Sequence, residues 1–149
     1  MISQDSVVLR SGQNGNVEFD SIGSVIHAFI AGDNVKLYNE YNNLFQRIVS
    51  VKTKPVESDC GYYALKFAMN DDSGHKEFDI IVSDETNIGI MRGEYVIRWM
   101  SVNEFTDDIR VSDNIKLVSR TKQGYNGTVC SVITDCGYFI VNGIAVQCC

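Results

Sequence analysis

The sequence predicts an all-β fold, and three observations carry that prediction. Short β-branched and aromatic runs recur along the whole chain, separated by turn residues. Proline is nearly absent (Pro55 alone), and helical periodicity is almost undetectable. The tail carries Asn142-Gly143 between apolar runs, the strongest local hairpin signal in the sequence.

Taken in order, the strands are expected at Ser6–Arg10 and Asn16–Phe19, divided by Gly12-Gln13-Asn14-Gly15. Val35–Tyr38, Phe45–Thr53 and Tyr62–Met69 follow, and Asp71-Asp72-Ser73-Gly74 turns the chain into Glu77–Val82. Ile88–Met91 and Tyr95–Met100 flank Arg92-Gly93-Glu94, and Trp99, after alternating Tyr95 and Ile97, is expected in the core. Ile115–Ser119, Gly127–Ile133, Tyr138–Val141 and Ile144–Val146 complete about a dozen short strands. Ser24–Ala31 and the single turn Val102–Thr106 are the candidate helices, and His27 on the first is expected to pack. His75, beside a hairpin loop, is expected to be solvated.

Gly32-Asp33-Asn34-Val35 is echoed by Ser112-Asp113-Asn114-Ile115. Each follows a candidate helix. Either small-Asp-Asn is simply a good turn tetrapeptide, or the fold is a pseudo-twofold of similar halves with the chain ends brought together.

At 149 residues the length fits one domain, 1–149, able to bury a core without a disulfide or metal staple. Thirteen Lys+Arg against nineteen Asp+Glu give a net charge of -6, which a phosphate backbone would repel. Nucleic-acid binding is therefore not expected. No apolar run approaches the roughly 18 residues of a membrane span, and the opening lacks a leader pattern, so a cytoplasmic protein without membrane contact is expected. The five cysteines lack C-x-x-C spacing and only two histidines accompany them, which argues against zinc. Cys60 reads as a small buried hydrophobe.

Met1 to Leu9, Gly32-Asp33-Asn34-Val35, Phe78–Trp99, Val129-Cys130-Ser131-Val132 and Tyr138 to Cys148, taken in order, together resemble the intein and hedgehog-type Hint family. Met1-Ile2-Ser3-Gln4-Asp5-Ser6-Val7-Val8-Leu9 resembles its opening, in which a nucleophilic Cys precedes Asp-Thr-x-Val. Gly32-Asp33-Asn34-Val35 resembles its Gly-Asp-x-Val turn. Phe78–Trp99, with Ile81-Val82-Ser83-Asp84-Glu85-Thr86, resembles its Thr-x-x-His strand. Val129-Cys130-Ser131-Val132 and Tyr138 to Cys148, through Asn142-Gly143-Ile144-Ala145-Val146, resemble its closing blocks. The likeness runs in order over essentially the whole chain, and its length leaves no room for an endonuclease insert.

The resemblance implies a mini-intein: an autocatalytic, cofactor-free, monomeric element acting on flanking extein polypeptide in cis, or on a complementary split fragment. A loop such as Gly12–Gly15 or Asp71–Gly74 could host such a split. Both chain ends must then share one pocket, so that attack is intramolecular. The family's catalytic positions fall on substituted residues. Met1 stands at the nucleophile, either as an initiator methionine replacing a first Cys or as the natural residue. Ser83 and Thr86 stand at the Thr and His, Cys130 at a late acidic position, and Gly137 at a further His. Gln147 stands at the penultimate His, Cys148 at the terminal Asn and Cys149 at the downstream nucleophile. A second register ends the element at Gln147 and makes Cys148 the downstream nucleophile; the Asn142-Gly143-Ile144 anchor favours the first. Ser3 is an alternative nucleophile in a shifted register. Cys130 is either an assistant to the C-terminal step or a buried strand thiol, and Cys136 matches no catalytic position. Splicing is expected to be impaired, and a Hint-like β module acting by binding is the alternative.

Overall fold

The computed structural model describes residues 1–147, and of residues 58–60 the backbone alone. Two sheets and one helix make up the molecule. In chain order the elements are β1 (Ile2–Ser3), β2 (Val7–Ser11), β3 (Val17–Ser21), α1 (Ile22–Ile30), β4 (Lys36–Asn39) and β5 (Leu44–Asp71). Then come β6 (Gly74–Ser83), β7 (Asn87–Arg92), β8 (Tyr95–Ser101), β9 (Arg110–Ser112), β10 (Ile115–Thr134), β11 (Phe139–Val141) and β12 (Ile144–Gln147). Short 3₁₀ turns cover Gln13–Gly15 and Val102–Glu104.

The larger sheet runs β3-β2-β4-β5-β6-β1-β10-β9, with β5 also paired to β10; the smaller runs β11-β12-β7-β8. The main core lies between them. Ile2, Val8, Leu65, Phe67, Val82, Ile88, Leu117, Phe139 and Val146 are all buried within it. α1 closes one side by presenting Ile22, Val25 and Ile26, the spacing of one helical face. It starts two residues before the expected Ser24 because the Ser21 hydroxyl accepts from the Ser24 amide and caps the first turn. His27 therefore lies on the exposed outer face rather than packed.

Four expected strands are two. Phe45–Thr53 and Tyr62–Met69 are continuous in β5, and Ile115–Ser119 and Gly127–Ile133 are continuous in β10. The residues that read as breaks sit inside the β5–β10 ladder. Pro55 lies opposite Thr128, and register shifts between Gln123 and Tyr125 and between Tyr125 and Gly127 absorb the irregularity. Bulges twist and bend a strand without ending it, and both partners follow the same bend. Ile2–Ser3 and Arg110–Ser112 are additional strands, too short to show a period.

The pseudo-twofold is visible in the element order. A hairpin, a helical segment, a short strand and a long strand follow one another as β2, β3, α1, β4, β5 and again as β7, β8, the Val102–Glu104 turn, β9, β10. The tetrapeptide echo does not carry it. Gly32–Val35 lies between helix and short strand, whereas Asp113 and Asn114 turn the short strand into the long one. The turn reading of those residues is the one that holds.

Trp99 packs with Val96, Tyr138 and buried Met91, Ile140 and Ala145, and its ring meets Tyr138 edge-on at 5.6 Å. Tyr95 and Ile97 do not share its face; they are 68% and 60% exposed. A bulge in β8, where the pairing steps from Ile90–Arg98 to Met91–Val96, reverses the alternation between them. No helix among the described residues is long and apolar enough to cross a membrane.

Candidate functional site

β6 and β7 belong to different sheets and are joined by only three residues, Asp84-Glu85-Thr86. That short connection positions everything in the site. β6 carries β1 as a ladder neighbour, with Ile2 opposite Val82, and β7 carries β12, with Gln147 opposite Asn87. The two chain ends therefore converge on one loop. The opening strand and Ile144–Val146 meet through this loop and not as paired strands; β1 lies between β6 and β10, and β12 between β11 and β7. Each end lies in its own sheet, and the Ser83–Asn87 segment bridges them.

At the first end, the Met1 nitrogen, here the terminal ammonium, donates to the Ser83 hydroxyl at 2.7 Å and to the Thr86 hydroxyl at 3.2 Å. The two hydroxyls are 3.1 Å apart. The Ser83 amide donates to the Met1 carbonyl at 2.7 Å, and the Thr86 hydroxyl reaches the same oxygen at 3.3 Å. Residue 1 is thus fixed through its nitrogen and its carbonyl by two side chains and one backbone amide. Thr86 is fully buried, while Met1 and Ser83 are half-buried, so the bonds lie at the edge of the core. The loop is tight, with the Thr86 amide donating to the Ser83 carbonyl. This turn lets side chains three residues apart face one point. The Met1 thioether packs outward against the small cluster of Val56, Tyr62 and Val129.

The second end meets the next residue along. The Asn87 side-chain amide donates to the Gln147 carboxamide oxygen at 3.5 Å. Thr86 thus serves residue 1 and Asn87 serves residue 147. Cys148 and Cys149, the positions of the terminal Asn and the downstream nucleophile, lie outside the described residues.

Cys130 is buried on β10 directly across from Ile2, among the side chains of the main core. Ser3 does not face the Ser83–Thr86 pair. Its buried hydroxyl accepts from the Tyr125 hydroxyl at 3.1 Å and from the Asp5 amide at 3.3 Å, which disfavours the shifted register. Gly137 has φ 82, a left-handed turn conformation that glycine adopts without strain. Cys136 lies exposed beside it, and burial followed by the neighbouring Asp135 carboxylate pushes its thiol up. His75 is solvent-facing on the β5–β6 hairpin, bonded to Asn70 at 2.8 Å. The Cys60 side chain is among those not described.

Sequence reasoning missed Asn87, whose only signal is adjacency to Thr86. It also missed Asn39, Tyr41 and Tyr138, which brace the final hairpin. Tyr41, an aromatic in the otherwise polar stretch Asn39-Glu40-Tyr41-Asn42-Asn43, was the one available hint.

The arrangement holds the nitrogen of residue 1 against two hydroxyls. In a chain extended upstream, that nitrogen is a peptide N–H with one proton to share between the two hydroxyls. A hydroxyl in that place can orient an amide and exchange a proton with its nitrogen. No family model matches the sequence, and no curated protein matches it. The crystal structure of a gp41-1 intein carrying three substitutions does match in fold, with a TM-score of 0.55 at 10% identity, over 99% of this chain and 98% of that one. The chain has the Hint fold of an intein over essentially its whole length.

Proposed function

We propose that this chain is a self-processing protein-splicing element that acts, without a cofactor, on polypeptide fused to its ends in cis or through a complementary split fragment. The observation that carries the reading is the convergence of Met1 and Gln147 on adjacent residues, Thr86 and Asn87. The convergence sets both junctions at one place, as chemistry that joins the two flanks requires. Folding then supplies the positioning entropy before the reaction begins.

With Cys at position 1, the sulfur adds to the carbonyl carbon of the preceding residue. The C–N bond breaks, the thiol proton ends on the freed amine, and a thioester results. Ser83 and Thr86 sit at that amine. A downstream thiol, Cys149 or in the second register Cys148, exchanges onto the thioester and regenerates the first thiol. Cyclisation of a side-chain amide nitrogen onto its own backbone carbonyl then expels the downstream amine, which takes the acyl group as a new peptide bond. Met1 has no proton to lose and no acyl intermediate to form. Direct attack of Cys149 or Cys148 on the upstream carbonyl is the route left to the chain as it stands. Cys148 cannot cyclise; Gln147 carries a carboxamide that can, slowly. The chain is therefore splicing-impaired.

The Met1 thioether also favours a second reading, a Hint-fold module that acts by binding and performs no chemistry. Mass spectrometry of the chain flanked by two reporter peptides separates the two. Met1→Cys with Cys148→Asn should release thiol-cleavable upstream peptide within hours. Intact precursor after a day would leave the binding module.

A further inference from the structure

We propose that Tyr41 is a positioning residue for the C-terminal step, an assignment that rests on the splicing reading above. The Tyr41 hydroxyl donates to the Gly143 carbonyl, in the turn that opens the terminal hairpin. Its ring packs with Trp99 and Tyr138 against Ala145 and Ile140, so it touches the hairpin through both its polar and its apolar parts.

The tyrosine is itself fixed. Asn39 is completely buried, its carboxamide oxygen accepts the Tyr41 amide at 2.9 Å, and its NH₂ donates to the Tyr138 hydroxyl at 3.2 Å. Burying a carboxamide with both ends satisfied makes a rigid brace. Asn142 and Gly143 turn with φ 49 and 81, and the Asn142 amide donates to the Val7 carbonyl at 3.0 Å. The turn is thus tied to the larger sheet by Val7 at one residue and by Tyr41 at the next.

β12 runs from this turn straight to Gln147, four residues or about 13 Å at strand rise. Tension or slack at Gly143 passes along the strand to its reacting end. The N-terminal end is held by none of these groups; β6, β10, Ser83 and Thr86 fix it. Tyr41 therefore acts on one junction and not the other.

The test uses the full chain with reporter peptides on both ends, carrying Met1→Cys and Cys148→Asn, with and without Tyr41→Phe. Loss of the hydroxyl should slow C-terminal release about tenfold, since small misplacements of reacting groups have effects of that size or larger. Thioester formation at residue 1 should stay within about twofold, a split that general loosening of the fold would not give. Amide exchange over 142–147 should quicken while that of 1–3 holds, measured on the same pair. Equal slowing at both junctions, or no change at either, overturns the assignment of Tyr41 and leaves the splicing reading standing. Absence of both cleavages in the parent overturns the splicing reading and this assignment with it. Should Tyr41→Phe fold poorly, Tyr138→Phe removes the bond to Asn39 instead and must give the same asymmetry.

Discussion

The Thr86 hydroxyl contacts Met1 at both of its polar backbone atoms, 3.2 Å from the nitrogen and 3.3 Å from the carbonyl oxygen. Both contacts satisfy a hydroxyl that burial would otherwise leave unpaired, and both fall on the backbone of residue 1. They also hold residue 1 still, as the splicing reading asks of the residue beside a reacting bond.

Ser83 makes the shorter of the two bonds to the residue 1 nitrogen, at 2.7 Å. Ser83→Ala in the Met1→Cys background should lower the rate of upstream cleavage about 10- to 100-fold, the equivalent of one hydrogen bond to a group developing charge. Quenched mass spectrometry with hydroxylamine follows it. Stability should move little, because the ladder bond from the Ser83 amide to the Met1 carbonyl remains.

Thr86→His puts an imidazole where proton transfer to the leaving nitrogen is needed. A positioned acid or base contributes about 10²–10⁴-fold, and a gain of at least tenfold in the same assay is expected. The pocket around fully buried Thr86 is filled, so the larger ring should lower stability by about 1–3 kcal/mol in urea unfolding. Faster cleavage from a less stable protein is the predicted signature; a slower one would remove Thr86 from the chemistry.

The parts of this molecule legible in the sequence are those with local grammar. Asn142-Gly143 turns as its residue types require, with both φ values positive. Ser83 and Thr86 follow from the resemblance to the Hint family's Thr-x-x-His strand, and both hydroxyls meet the Met1 nitrogen. What depends on a partner strand was not legible. Pro55 and the 122–126 stretch read as breaks because the bulged ladder that carries them is formed by residues some seventy positions apart. Asn87 and Asn39 carry no periodic signal, since a single carboxamide acquires its role only from what the fold sets beside it.

Gly89 shows the same dependence on a neighbour. A Cβ there would sit 3.0 Å from the Ala145 Cβ and 3.1 Å from Trp99 and Val96. Gly89 is opposite Ala145 in the β7–β12 ladder that brings Gln147 to Asn87. Gly89→Val should therefore destabilise by about 1–3 kcal/mol and push β12 outward. In the restored background, C-terminal release should fall more than thioester formation, read on one gel.

Gln46 offers a gain in stability. It is 1% exposed, and among the described residues neither polar atom of its carboxamide has a well-formed hydrogen bond, with only a weak interaction to the Cys136 thiol. A buried unsatisfied group costs about 1–3 kcal/mol, and methionine has nearly the same shape without the polar atoms. Gln46→Met should raise the urea midpoint at unchanged slope. A lower midpoint would mean that the carboxamide is satisfied in solution.

Tyr41 links stability to alkaline pH. Burial raises its phenol above the ordinary value of 10.0, a hydrogen bond with Ser112 opposes it, and the Glu40 and Asp113 charges add smaller upward pushes. The protonated phenol is also the form that donates to the Gly143 carbonyl. In the unfolded chain the group ionises near its ordinary value, while the folded chain keeps the proton to higher pH. Between those two points the folded state binds more protons, so stability falls as pH rises. The contribution is fully present below about pH 10 and is lost as pH climbs through the folded value. Urea unfolding between pH 8 and 11 should show a steeper loss for the parent than for Tyr41→Phe, the two curves converging at the alkaline end. Parallel curves would mean that the phenol at position 41 titrates alike in both states, and that the terminal hairpin is not held by its proton.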